Sequence, residues 1–243
     1  MIPKIIHYCW LSNDPLPEKL EQCINSWKKH LPDYEIRKWD LNRFPLNKSL
    51  WVQQAYENKK YAFAADYIRL YALATEGGIY LDSDVEVLKS YNDLLDLPYF
   101  ICQENSPQGI EAATIGAEPG VKWVQECLNY YTNRPFIDTS GKMYTDVLPS
   151  ILKKCITNSF TIVPIQNISE FIKDEKIVCV FPIDYFSPKN YVTKKIRITS
   201  NTYSIHHFAG TWQPLWKRLI LKIWVPFSVK YPHFAEKIKK AIK

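Results

Sequence analysis

Over the first forty positions the apolar residues change period twice. Lys4–Trp10 (KIIHYCW) is a compact apolar run behind Pro3 and predicts a strand. Leu20, Cys23, Ile24, Trp27 and Leu31 then recur at three- and four-residue steps, which predicts an amphipathic helix closed by Pro32. Tyr34–Trp39 (YEIRKW) alternates and predicts a second strand, with a loop over Asp40–Lys48 behind it. Strand, helix and strand in that order argue for an α/β protein with a mostly parallel, doubly wound sheet. Ser49 is placed to cap a helix running through Glu57.

The next stretch organises the chain. Tyr61–Glu76 reads as a helix with Phe63, Tyr67, Leu70 and Ala74 on one stripe and Asp66 and Arg69, three apart, on another. Gly77 and Gly78 stop it, because glycine reaches left-handed backbone angles that other residues avoid. A short apolar strand, Ile79–Leu81, leads straight into Asp82, Ser83 and Asp84. Two carboxylates thus stand at the carboxyl end of a buried strand, where open α/β sheets bind ligands. Residues two apart in extended chain point the same way, so Asp82 and Asp84 can converge on one cation. Taken alone, the triplet is equally a solvated acidic turn, and Asp66 with Arg69 equally a surface ion pair.

Further along, Tyr99–Cys102 predicts a strand with Gln103, Glu104 and Asn105 at its polar exit, and Val121–Tyr131 and Tyr144–Cys155 predict helices. Strand-like runs recur at Phe160–Val163, Ile177–Phe181 and Ile196–Ile198. In Tyr203–Pro214 (YSIHHFAGTWQP) an apolar strand runs into His206 and His207. Gly210, Thr211 and Trp212 follow, a flexible step suited to closing over a nucleotide. Beyond it, Leu215, Trp216, Leu219, Ile220, Ile223 and Trp224 share one helical face opposite Lys217, Arg218 and Lys222. The pattern divides the chain into a catalytic domain over 1–214 and a basic amphipathic helical extension over 215–243.

Composition sharpens this picture. The chain has 243 residues, 47% of them apolar, which is enough for one large α/β core. Its net charge of +6 is concentrated from Lys217 onward, where eight basic residues face Glu236 alone. The body is close to neutral, which argues against a general nucleic-acid binder. The tail suits either peripheral contact with an anionic membrane or packing on the domain. Six scattered cysteines with no C-x-x-C pair argue against a zinc site or a disulfide framework. The amino-terminal residues lack the layout of a signal peptide, and no apolar run reaches the roughly 18 residues that span a bilayer, so a cytoplasmic location is expected.

The chemistry these residues suit is departure of a diphosphate. Negative charge grows on such a leaving group as its bond to a sugar breaks, and a divalent ion stabilises that growth as a Lewis acid. Two carboxylates and an imidazole from His206 or His207 make a ligand set for it. Nitrogen in the set favours Mn²⁺ over the harder Mg²⁺, with Mg²⁺ the alternative. Trp10, at the end of the first strand, is a stacking surface for a base or else a core residue.

Four stretches together, Ile2–Trp10, Ser26–Asp40, Tyr61–Leu88 and His206–Trp212, resemble the glycosyltransferases of family 32, which include capsular polysaccharide synthesis enzymes and yeast-type mannosyltransferases. The catalytic core of the clostridial glucosylating toxins is more distantly similar. The resemblance implies a GT-A fold and metal-dependent, retaining transfer from a nucleotide-sugar donor. A UDP-sugar is the expected donor and a saccharide the expected acceptor, lipid-linked where the tail binds membrane. It also implies roles by position. Trp10 would stack on the base, Asp66 and Arg69 would bind sugar and phosphate, and Tyr80 and Asp82 would face the ribose, with Asp82 also available to the metal. Asp84 and His207 would hold the metal, His207 being favoured over His206 because His207-Phe208-Ala209-Gly210 fits the family's His-aromatic-small-Gly pattern. Thr211 and Trp212 would close over the diphosphate, and Glu104 is a candidate for positioning the acceptor or acting as base.

Two rival readings come from other classes. A strand followed by D-x-D also marks phosphohydrolases with an aspartyl nucleophile, but Glu86 stands where those have a small aliphatic residue, and no later Gly-Asp-x-x-x-Asp motif occurs. A nonenzymatic saccharide-binding or membrane-surface protein would account for the eight tryptophans and the basic tail. It leaves the acidic and histidine residues unexplained.

Overall fold

A computed structural model describes residues 1–104 and 109–210, together with Ile220, Trp224, Phe227, Ser228, Tyr231 and Phe234. The core is a five-stranded sheet. β1 (Ile5–Cys9) lies between β2 (Glu35–Trp39) and β3 (Gly78–Leu81) and is parallel to both, and β3 continues to β6 (Thr114–Ala117) and then β5 (Tyr99–Phe100) in antiparallel pairings. Only β6 runs against the other four strands. The expected α/β class therefore holds, with one strand reversed.

The first elements form where the pattern placed them. α1 (Glu18–His30) buries Leu20, Cys23, Ile24 and Trp27 and connects β1 to β2. α2 (Leu50–Glu57) begins at Ser49, whose side chain accepts from the Val52 N–H. α3 (Tyr61–Glu76) buries Ala64, Ile68, Arg69, Leu70, Ala72, Leu73 and Ala74. Its buried face is thus set by small and aliphatic residues and includes Arg69, while Phe63 and Tyr67 from the expected stripe are only half-buried. Gly77 and Gly78, at φ +64° and +99°, reverse the chain. A Cβ on Gly78 would sit 2.7 Å from the Ile5 carbonyl oxygen, so the turn also needs a residue without a side chain.

Three expectations change. β4 (Val85–Val87) and β6 were not anticipated: β4 is only three residues long, too short for its alternation to stand out, and β6 is buried throughout and shows none. α4 (Lys122–Asn129) forms as expected, but α5 spans Leu148–Ser159 instead of Tyr144–Cys155, because Pro149 sits in its first turn, where proline is tolerated, and the residues before it are extended. Ile196–Ile198 forms no strand; Ile196 only bridges Lys189, and both isoleucines are exposed. β7 (Thr161–Pro164) and β8 (Ile177–Val180) pair with each other, and β9 (Ser204–His206) pairs antiparallel with β4. Among the described residues, no helix is long and apolar enough to cross a membrane.

Candidate active site

Chain geometry brings Arg69 level with Asp82. Arg69 lies eight residues before Gly77, a rise of about 12 Å along a helix. Asp82 lies five residues after it, about 16 Å along a strand. The returning strand therefore delivers the acidic turn to the middle of α3. Arg69, 5% exposed, places Nη2 3.0 Å from Asp82 Oδ1 and 3.4 Å from Asp66 Oδ1, while Nη1 donates to the Ala112 carbonyl. Its guanidinium lies over the Tyr80 ring, 4.3 Å from the centroid, and the Tyr80 hydroxyl reaches Asp82 Oδ1 at 3.3 Å. This is not a surface ion pair. The terminal nitrogens of Arg69 contact the Ala112 carbonyl and the Asp66 and Asp82 carboxylates, which hold the guanidinium beside the acidic turn.

The acidic turn closes through the Val85 N–H, which donates to the Asp82 carbonyl at 2.9 Å. β4 then pairs with β9 in a register that sets Val85 opposite His206. His206 thereby arrives beside Asp84, its Nε2 3.5 Å from Asp84 Oδ1. One ligand atom each from Asp82, Asp84 and His206 lies within 4.8 Å of the others. Successive strand residues face opposite ways, so His207 points elsewhere, its Nε2 2.8 Å from Glu86 Oε2. The motif match had favoured His207 as the ligand; the β4–β9 register brings His206 to the carboxylates instead. Phe208 adopts φ +54°, and the turn it makes presents the Ala209 N–H to Asp84 Oδ2 at 2.6 Å.

A fourth acid completes the group. Glu111 was not singled out from the sequence, because it follows a polar exit with no spacing that ties it to another ligand. It is 3% exposed, and its carboxylate lies 3.4 Å from His206 Nδ1. Burial alone would discharge His206, but Asp84 and Glu111 on either side overcome it and push its pKa up to about 9. Burial likewise opposes charge on Glu111, and the His206 imidazolium with the Ala113 N–H holds its pKa down at about 2. Burial raises Asp82, with Arg69 opposing, and carries Asp66 up to about 7. Three carboxylates around one imidazole favour positive charge at this point, and two carboxylate oxygens with one ring nitrogen suit a divalent ion. The residues present fit such an ion.

Trp10 follows β1, the strand next to the one that carries Asp82. β1 and β3 are parallel neighbours, with His7 opposite Tyr80, so Trp10 emerges at the same edge as Asp82. Its indole N–H donates to the Asp14 carbonyl at 2.8 Å, and it lines a cavity of about 480 Å³ with Lys38, Asp40 and Asn42. Glu104 lies on the arm bridged by Gln103 and Ile110, its N–H donating to the Gly109 carbonyl at 3.1 Å, and outside the Asp82–Asp84–His206 group. Thr211 and Trp212 lie outside the described residues.

A buried arginine bonded to the first acid of a D-x-D turn, with a distant histidine beside the second, makes a candidate site for a divalent ion and an anionic ligand. Residues 17–101 match the family model described as "Glycosyltransferase sugar-binding region containing DXD motif". The match agrees with the family 32 resemblance. The chain is 34% identical over 123 residues to inositol phosphoceramide mannosyltransferase 3 of Schizosaccharomyces pombe, covering 49% of this chain and 34% of that protein. It is 31% identical over 123 residues to mannosyl phosphorylinositol ceramide synthase SUR1 of Saccharomyces cerevisiae, covering 49% and 32%. The match thus spans about a third of the length of these curated relatives. Among solved structures, the PaToxG glycosyltransferase is similar at a TM-score of 0.49 and 21% identity, over 65% of this chain and 69% of that one.

Proposed function

We propose that this chain is a metal-dependent, retaining glycosyltransferase of GT-A type that moves a hexose from a nucleotide-diphosphate sugar, a UDP-sugar, to a lipid-linked saccharide acceptor in surface or capsular polysaccharide synthesis. The observation that carries this reading is the convergence of Asp82, Asp84 and His206 at the carboxyl end of β3. These three would hold the ion, and the ring nitrogen favours manganese over magnesium. When bound, the ion would supply Lewis-acid stabilisation of the charge that grows on the departing diphosphate.

The remaining roles fall to the chain's own groups. Arg69 holds the Asp82 carboxylate in place through a charge-assisted bond. Trp10 stacks on the base over the cavity beside β1 and β2. Asp66 and Tyr80 face the sugar and the ribose, Glu104 approaches the acceptor, and Thr211 with Trp212 closes over the diphosphate. The acceptor hydroxyl attacks the anomeric carbon from the face the diphosphate leaves. A new C–O bond forms as the old one breaks, and the departing phosphate oxygen takes the proton. No enzyme nucleophile is required.

The fungal relatives are named for mannose transfer to inositol phosphoceramide, which supports a lipid-borne acceptor and makes mannose a candidate sugar. The tail supports a cytoplasmic enzyme held at the inner face of the plasma membrane. Of its described residues, Ile220, Tyr231 and Phe234 are 54%, 48% and 60% exposed, while Trp224 and Phe227 are half-buried, and the exposed three support a surface contact. The central test is Asp84→Ala, which is expected to abolish Mn²⁺-dependent hydrolysis and transfer of a nucleotide sugar while leaving the circular dichroism spectrum unchanged. Full activity in that variant overturns the reading.

A further inference from the structure

The carboxylate of Glu111 is clamped to its own chain, its Oε1 accepting the N–H groups of Ala112 and Ala113, each at 3.0 Å. The same head group faces His206 Nδ1, 3.4 Å from Oε1 and 3.5 Å from Oε2, a long contact shared between the two oxygens. The segment it anchors also ties the rest of the cluster together. The Ala112 carbonyl accepts from Arg69 Nη1, and the Ala113 carbonyl accepts the Asp82 N–H at 2.8 Å. On its other side His206 is covered by the Phe208 ring, with centroids 4.0 Å apart.

An imidazole binds a cation only through a nitrogen that carries no proton. Its two neutral tautomers lie close in energy, so the partner of one nitrogen decides which lone pair the other offers. We propose that Glu111 is a positioning residue that accepts the Nδ1–H of His206 and so fixes the tautomer and ring plane in which Nε2 is presented to a cation between Asp82 and Asp84. The inference rests on the metal reading of the site, but its geometric half concerns His206 alone. Because the clamp fixes Glu111 before any ion arrives, the ring is oriented in advance.

The test uses the full chain and Glu111→Ala and Glu111→Gln, with Mn²⁺ alone as the probe. Electron paramagnetic resonance of free Mn²⁺ is expected to show a 10- to 100-fold weaker affinity in Glu111→Ala, roughly the loss typical of removing a histidine ligand's hydrogen-bond partner. Glu111→Gln, whose amide oxygen still accepts from Nδ1, is expected to recover most of it. In parallel, ¹⁵N spectra of histidine-labelled protein above the titration of His206 should show the proton on Nδ1 in the wild type and in Glu111→Gln, and a mixture of tautomers in Glu111→Ala. Affinity within twofold of wild type in Glu111→Ala, or a proton on His206 Nε2 in the wild type, overturns the proposal. If Glu111→Ala does not fold, the Glu111→Gln spectrum decides: a proton on Nδ1 supports the proposal and one on Nε2 overturns it. A wild type that binds no Mn²⁺ would sink the metal reading, while the tautomer still reports on Glu111.

Discussion

Asp66→Asn tests the electrostatics of the site without changing its shape. The Asp66 side chain is 14% exposed, and burial raises its pKa from 3.8 to about 7, with Arg69 opposing and the nearby Asp82 adding to it. Between those two values the folded state binds more protons than the unfolded one, so ionising Asp66 makes the protein less stable as pH rises from 3.8 to 7. A shift of about 3 units corresponds to about 4 kcal/mol once the pH exceeds both values. Asparagine keeps the shape and removes the charge, and Arg69 keeps Asp82 as a partner at 3.0 Å. The variant should therefore be more stable than wild type by an amount that grows by about 1.4 kcal/mol per pH unit, or about 3 kcal/mol between pH 5 and pH 7. Urea unfolding with linear extrapolation at pH 5, 6, 7 and 8 measures this directly. Stability curves for the two proteins that run parallel across that range would refute the reasoning. If Asp66 also faces the sugar, the same variant should lose transfer activity while gaining stability.

His7 makes the opposite pH prediction. Burial lowers its pKa to about 4, outweighing the hydrogen bond from Nε2 to the Gly77 carbonyl at 2.7 Å, which raises it; Nδ1 of the neutral ring accepts the Trp39 N–H at 3.0 Å. The folded state binds fewer protons here, so this contribution is complete above 6.5 and is lost as pH falls to 4, a total of about 3 kcal/mol. Nuclear magnetic resonance should show no titration of His7 above pH 5, and a midpoint above 6 contradicts the assignment. Deleting residues 215–243 should remove co-sedimentation with vesicles containing anionic lipid and leave folding intact; undiminished binding of the truncated chain rejects the membrane role.

The parts of the fold that were legible are those whose cause is local. The bounds of α3 follow from two glycines that only a sharp reversal requires, and β1, α1 and β2 follow from a change of apolar period that any local window shows. α5 was displaced because apolar spacing says little about where a helix begins, and Pro149 decided it. β4 and β6 were missed because three- and four-residue strands are strands only by virtue of their partners. For β4 that partner lies more than a hundred residues away.

The site divides in the same way. The sequence alone places two carboxylates together at the exit of β3 and Arg69 on the preceding helix, because a helix, a glycine turn and a strand of fixed rise per residue leave little choice. It could not decide between His206 and His207. Strand alternation sends adjacent residues to opposite faces, and only the β4–β9 register says which face meets Asp84. Nor could it show that Arg69 spends both terminal nitrogens on Asp82 and Ala112, or that Glu111 stands behind His206. Those relations join residues far apart in the chain through β6 and β9. A buried charge takes its meaning from the partners that tertiary folding places around it.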